Sequence, residues 1–478
     1  MPVAPIASPI MNLEKVFCRL KAIRPDMKSD TFKLRTFGIL QMYFKLMTKD
    51  KMVIKKWLVL VVLICTTGLG YSQLPGVIYK SNIQSVRFHM HGDQFSLPVY
   101  NINSGDQLDL NFDDLDGNVK SYYYSFQLCD YNWEPVDINT FNYLKGFTQQ
   151  RISQYRYSSI ALTRYTHYQA ILPERGTTIT LSGNYMLKVF LDGDTSKLAF
   201  TQRLLVLDQK AAVSAQVVQP FNTQLFKSSQ KIRFTANIKG LNSFSAAQQI
   251  KVVILQNNRW DNAQKDIAPT FIRGNELEYS SENNSIFAGG KEWRWLDLRS
   301  FRLQSDRVES ADYNKTSTEV YLKTDVDRGS QKYVYYRDLN GMYSSETYET
   351  INPYWQADYA KVHFYLSPPN ATPYAGKDIY LAGQLTNYVF DDKTKMVFNA
   401  EKGVYEIAIM LKQGYYNYTF IAVDKNNPAL RTDLEGNYWE TENSYTILMY
   451  YKSFTDQADQ LIGISKINSR TDNPGISF

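Results

Sequence analysis

Beyond residue 74 the hydrophobic positions recur with period two. Lys231–Ile238 (KIRFTANI), Glu319–Val326 (EVYLKTDV) and Gln331–Leu339 (QKYVYYRDL) alternate polar and apolar side chains, the pattern of a strand with one buried face. Turn residues separate such runs at Asp116-Gly117-Asn118, Asp192-Gly193-Asp194, Asn340-Gly341 and Glu435-Gly436-Asn437. No stretch there holds helical periodicity over four turns. Many short strands with regular turns predict an all-β chain of tandem antiparallel β-sandwiches, immunoglobulin- or E-set-like in type. Breaks in the pattern place an N-terminal sandwich at 74–208, a middle β domain at 209–352, a C-terminal sandwich at 353–463 and a polar tail at 464–478.

The N-terminal end reads differently. From Met52 the sequence MVIKKWLVLVVLICTTGLGYSQ places Lys55 and Lys56 before an apolar run, with small residues at cleavage spacing around Gly70-Tyr71-Ser72. This predicts a signal peptide over 52–72, its apolar run too short to span a membrane. Residues 1–51 are then expected to be an over-extended start. They also distort the charge. Residues 1–56 hold 12 Lys/Arg against 4 Asp/Glu, so the remainder of a +6 chain carries −2. Nothing strongly basic is left to argue for nucleic acid. Of Cys18, Cys65 and Cys129 only Cys129 lies beyond the signal peptide, so the exported chain has no internal disulfide to form. Ile64 precedes Cys65 where a lipoprotein signal needs a small residue. The expected setting is a Gram-negative periplasm or outer membrane.

Candidate chemistry is sparse. His89 and His91 would share a strand face, but no further ligands follow at metal-binding spacing. His167 sits in a strand-like run with no nucleophile motif. Asp114, Asp116 and Asn118 resemble a calcium loop, yet Val119 stands where the pattern requires glycine, which favours a hairpin turn. No G-x-S-x-G, Walker or G-x-G-x-x-G motif occurs. The reading is a non-enzyme with no cofactor, no metal and no small-molecule substrate. In Lys291–Val308 (KEWRWLDLRSFRLQSDRV), Trp293, Trp295, Asp297 and Arg299 would share one strand face. They offer either a ligand platform or a cross-strand aromatic and ion-pair layer. The 36 tyrosines suit protein interfaces as well as strand surfaces. The chain ends in Phe478, but NSRTDNPGISF lacks the alternation of a barrel's last strand, so the protein is not itself membrane-spanning.

Asp378–Asp424 resembles a glycogen-binding-type module. A strand ends in Gly383-Gln384-Leu385-Thr386-Asn387-Tyr388, a polar hairpin follows, and a Lys-Gln-Gly turn leads into Tyr-Asn-Tyr-Thr-Phe. Such modules stack sugar on exposed tryptophans. Tyr388 stands where they often carry Trp, and Trp439 is the one spare aromatic candidate. The stretch reads as a borrowed scaffold, with a carbohydrate-binding or surface-glycan protein as the alternative function.

Longer stretches carry a second resemblance. FDDLDG (Phe112–Gly117, with Asp113 and Asp114), YSFQLCDYNW (Tyr124–Trp133, with Cys129, Asp130 and Trp133), YTHY (Tyr165–Tyr168) and SGNYMLKV (Ser182–Val189) occur in order. LDLRSFRLQSDRV (Leu296–Val308, with Asp297, Arg299 and Arg307), LKQGYYNY (Leu411–Tyr418) and EGNYWETENSYTILMYYKSF (Glu435–Phe454, with Glu435, Asn437, Glu440, Glu442 and Asn443) follow. Together they resemble the plug protein of the type IX secretion system of Bacteroidetes-type bacteria. The resemblance implies a non-enzymatic gate that closes the periplasmic end of a giant outer-membrane translocon barrel, its partner, when no cargo is engaged. It assigns the motif residues no chemistry, only structural or interface roles.

Overall fold

A computed structural model describes residues 73–241 and 245–472; the readings of the start, signal peptide and Cys65 fall outside them. Among the described residues the sole α-helix is the single turn Ala246–Gln249, and apart from three short 3-10 turns the rest is strand and loop.

Three cores organise the chain. In the first, strands Ile83–Met90, Leu108–Asp114, Thr166–Leu172 and Gln154–Tyr157 form one sheet in that order. Tyr122–Cys129, Gly183–Leu191 and Leu198–Leu207 form the sheet opposite. Tyr122, Tyr124, Phe126 and Leu128 alternate inward, and the Phe112 ring stacks on Tyr168 at 5.1 Å between the layers. The second sandwich pairs Ala212–Val218, Ser229–Asn237 and Glu276–Tyr279 in one layer. Its other layer is Ile250–Gln256, Ser444–Tyr451 and Gln460–Asn468. That layer continues the first sandwich's sheet, because Leu207 lies beside Leu461. In the third, Arg294–Asp297 and Lys377–Ala382 flank Tyr415–Asp424. Thr318–Leu322, Tyr359–Ser367 and Val404–Lys412 form the other sheet.

The strands therefore regroup across the expected cuts at 352 and 463. Residues 294–326 belong with 359–424, and 444–468 return to pair with 250–256. The third sandwich is inserted into the second through crossings at 289–293 and 435–443. Backbone closeness marks the first crossing: a Cβ on Gly289 would sit 2.0 Å from the Tyr438 carbonyl oxygen. The polar tail is corrected as well, since 464–468 complete a strand. Gln331–Leu339, expected as a strand, makes no ladder. Its tyrosines hold it instead. Tyr333 Oη donates to Glu292 at 2.5 Å and Tyr336 Oη to the Trp293 carbonyl at 2.9 Å. Alternation in that segment serves side-chain anchoring, not pairing.

Candidate functional site

Several of the motif residues lie at the joints between sandwiches. Asp113 is fully buried on the first sandwich's Leu108–Asp114 strand, and it faces the third. His167 Nδ1 lies 2.7 Å from its Oδ1. Lys412 Nζ and Tyr359 Oη, both from the third sandwich, donate to its Oδ2 at 2.5 Å each. Tyr359 also meets Ser85 Oγ at 2.7 Å, and Lys412 donates to the Tyr354 carbonyl at 2.6 Å. Burial pushes the Asp113 carboxyl up, but Lys412 and His167 outweigh it and hold it below its usual value. Burial lowers both His167 and Lys412 against the pull of Asp113. The cluster thus sets a buried carboxylate between a lysine and an imidazole. His167 Nε2 lies 3.2 Å from the Asn111 side-chain amide, not against a hydroxyl nucleophile.

Further contacts line this joint. Asp358 accepts the Leu162 and Thr163 amides at 2.9 Å each, and Tyr165 Oη donates to the Ala357 carbonyl at 2.6 Å. Arg87 donates to Gln384 Oε1 at 2.7 Å with its guanidinium 4.3 Å from the Tyr343 ring centroid. Gln384 belongs to the Gly-Gln-Leu-Thr-Asn-Tyr loop of the sugar-like module, and the first sandwich occupies it. Tyr388 packs edge-on to Trp293 and donates to the Gly341 carbonyl at 3.0 Å.

The joint of the second and third sandwiches has a buried core of amides, with an Arg431–Asp261 ion pair at 3.4 Å on its exposed side. Asn443 is buried and donates to the Gly289 carbonyl at 2.8 Å and Gln230 Oε1 at 3.1 Å, while its Oδ1 accepts from Asn257 at 2.8 Å. Gln230 in turn donates to the Trp439 and Thr441 carbonyls at 2.7 Å each. Asn437 Oδ1 accepts the Gly290 amide at 3.0 Å. Glu442 accepts from Asn468 at 2.6 Å, and the Glu440 carbonyl accepts from Tyr333 at 2.9 Å. Nearby, burial raises the Asp338 carboxyl to about 7, against hydrogen bonds from the Asn340 and Trp293 amides. A cavity of about 330 Å³ opens here, lined by Arg259, Asp261, Lys291, Trp293, Asn437 and Asn443 among others. Arg259 is spent on Asp261 at 2.7 and 3.1 Å.

Glu435 anchors the third sandwich from within. Arg294 Nε donates to it at 2.8 Å and Nη1 to Asp325 at 2.7 Å; Arg328 also bonds Glu435 and Arg307 bonds Asp325. Arg294, Asp325, Arg328, Lys412 and Tyr359 were not singled out from the sequence. Arg294 does lie in the WRW run, on the strand face opposite Trp295. The expected shared face is corrected for Trp293, which is buried beneath Gly341, whereas Trp295 stacks on the cross-strand Tyr415 and Arg299 lies over the same ring, the aromatic and ion-pair layer of the second alternative. Asp297 and Arg299 form a partly exposed pair, with the carboxylate gripped at 2.7 and 3.0 Å.

The remaining motif residues serve the first sandwich and its contact with the second. Asp114 accepts from Asn82 at 2.6 Å, Tyr122 at 2.9 Å and the Asp116 amide at 3.0 Å, and pairs with Lys120. It closes a turn, but not the expected hairpin: the strands on either side belong to opposite sheets. Asp130 caps its own turn through the Asn132 and Glu134 amides at 2.8 and 2.9 Å. The turn delivers Trp133, at φ 71°, edge-on to Trp260 of the second sandwich. Cys129 is buried, and burial pushes its thiol up to about 12, which suppresses thiolate chemistry. His89 is buried against the Met90 carbonyl and His91 pairs with Asp109. Among the described residues no group of three or more His, Cys, Asp or Glu is placed to hold a metal, and no helix is long and apolar enough to cross a membrane.

Comparison with known proteins adds the following. Residues 83–208 match the family described as "Type 9 secretion system plug protein 1st domain", the limits of the first sandwich. A crystal structure of a hypothetical protein from Parabacteroides merdae is similar, with 29% identity and a TM-score of 0.78, over 82% of this chain and 98% of that one. No curated protein matches the chain.

Proposed function

We propose that this chain, whose residues 83–208 match the first domain of type 9 secretion system plug proteins, acts as a non-catalytic stopper at the periplasmic mouth of the system's giant outer-membrane barrel. That match supports a location in the cell envelope, in association with a secretion translocon. The finer role rests on one observation above the others: motif residues are spent on locking three sandwiches to one another. Asp113 reaches into the third sandwich, Trp133 packs on the second, and Asn443 ties the second to the third. A stopper needs width and rigidity. Buried polar groups that are fully partnered fix one relative orientation, because breaking any member leaves the others desolvated and unpaired.

Loss of the gene is expected to leave cargo secretion largely intact while making the outer membrane leakier to large antibiotics. Unchanged permeability in the deletion strain would sink the gating role. The glycan-binding alternative has lost its main motive, since Trp293 is buried and the module's loop holds Arg87.

A further inference from the structure

Among the edge strands of the first sandwich, one is exposed along its whole length. Strand Gln154–Tyr157 ends the order of its sheet, and all four residues are exposed. Its outward groups follow from the ladder. Ser158 N–H donates to the Tyr165 carbonyl at 2.8 Å, and bonded pairs recur at every second residue of an antiparallel pair. Gln154 and Arg156 therefore turn their backbone inward, to Gln169 and His167. Tyr155 and Tyr157 turn N–H and C=O outward, as a template for a further strand. The edge is also held still. Immediately after it, the Ser159 amide donates to the Trp355 carbonyl at 2.9 Å, and Asp358 clasps the Leu162 and Thr163 amides.

Charge narrows the occupant. Between Asp137 and Glu174 the chain has no acidic residue, but it has Lys145, Arg151, Arg156 and Arg164, all four exposed. The Arg156 guanidinium lies over the edge of the third sandwich, 5.7 Å from the Trp355 ring centroid. Tyr155 and Tyr157, at 42% and 58% exposure, offer aromatic surface on the opposite face. A second copy of this chain is a poor occupant, because self-pairing would set one arginine-bearing strand against another.

We propose that the Gln154–Tyr157 edge accepts an extended acidic peptide segment as an added strand. Main-chain hydrogen bonds to Tyr155 and Tyr157 would give affinity, and the arginines would select for Asp and Glu. The inference concerns the chemistry of the segment, and stands whether the translocon or another protein supplies it.

The test uses the purified full chain and two labelled peptides of about ten residues, the length of a long strand, one alternating Glu and Val, the other Lys and Val. Fluorescence anisotropy should show binding of the Glu peptide alone, weakening with added salt. Arg156→Glu should weaken it by about tenfold or more. Its side chain is exposed, so the fold should survive, which an unchanged melting curve would verify. In the wild type, saturating Glu peptide should slow hydrogen exchange at the Tyr155 and Tyr157 amides. No binding of the Glu peptide, or equal binding of both peptides, overturns the proposal. So does binding that leaves those two amides unprotected, which would be charge adsorption without strand addition.

Discussion

The first and third sandwiches touch without a single chain crossing between them, and charge holds them. The second and third exchange two crossings, and a buried lattice of neutral amides holds those, with only a more exposed Arg431–Asp261 pair beside it. At the first joint Asp113, Lys412, His167 and Tyr359 meet in a buried cluster. At the second, Asn443, Gln230 and Asn257 bond one another and the crossing backbone. The difference has a physical sense. Where the chain already tethers two bodies, amide hydrogen bonds of modest net value suffice to fix the angle. Where no chain crossing joins them, orientation depends on the docking contacts themselves. A buried ion pair adds little over an apolar pair, but half of one is severely unfavourable, so it specifies a single docking.

The largest expected effect breaks the charged joint. Lys412→Met should destabilise the protein by about 3–5 kcal/mol, because Asp113 is left buried without its cation; urea unfolding measures it. Asn443→Ala at the amide joint should cost less, about 1–3 kcal/mol, as several desolvated partners lose one bond each. A larger loss from Asn443→Ala than from Lys412→Met would reverse the comparison.

Acid should separate the joints by sign. His167 has a folded value below 6.5, so its contribution is present above 6.5 and is lost as the pH falls further. Asp338 has a folded value of about 7 against 3.8, so its contribution is full below 3.8 and is lost as pH rises through about 7. Between pH 7 and 5 the first joint should loosen while the second tightens. Exchange protection of the Ser159 amide, bonded to Trp355, should fall, and that of the Tyr438 amide, bonded to Gly290, should rise. Parallel movement of both would show that the joints do not titrate separately. The smallest effect belongs to the half-exposed pair: Asp297→Asn should change stability by no more than about 1 kcal/mol.

Much of the fold was legible. Period-two runs such as Lys231–Ile238 became strands, and Asp114–Gly117 became a turn. Local pattern says nothing of distant partners, however. Nothing around residue 352 signals that Arg294–Val326 pairs forward, or that Ser444–Asn468 pairs back across an inserted sandwich. The site was legible by half. Asp113, Trp133, Glu435 and Asn443 stood out through family resemblance, and the structure gives each a partner. Lys412 and Arg294 did not, because a lone Lys in a strand reads as solvated and Arg294 sat between more conspicuous tryptophans. Gln331–Leu339 misled through genuine alternation, used there to anchor tyrosine hydroxyls.

The central claim is that this rigid three-part body is a plug for a secretion barrel. Its most direct test is affinity purification of the tagged protein from detergent-solubilised outer membranes, with partners identified by mass. The account predicts one giant barrel protein in near-stoichiometric amount. Recovery of the tagged protein alone would contradict it.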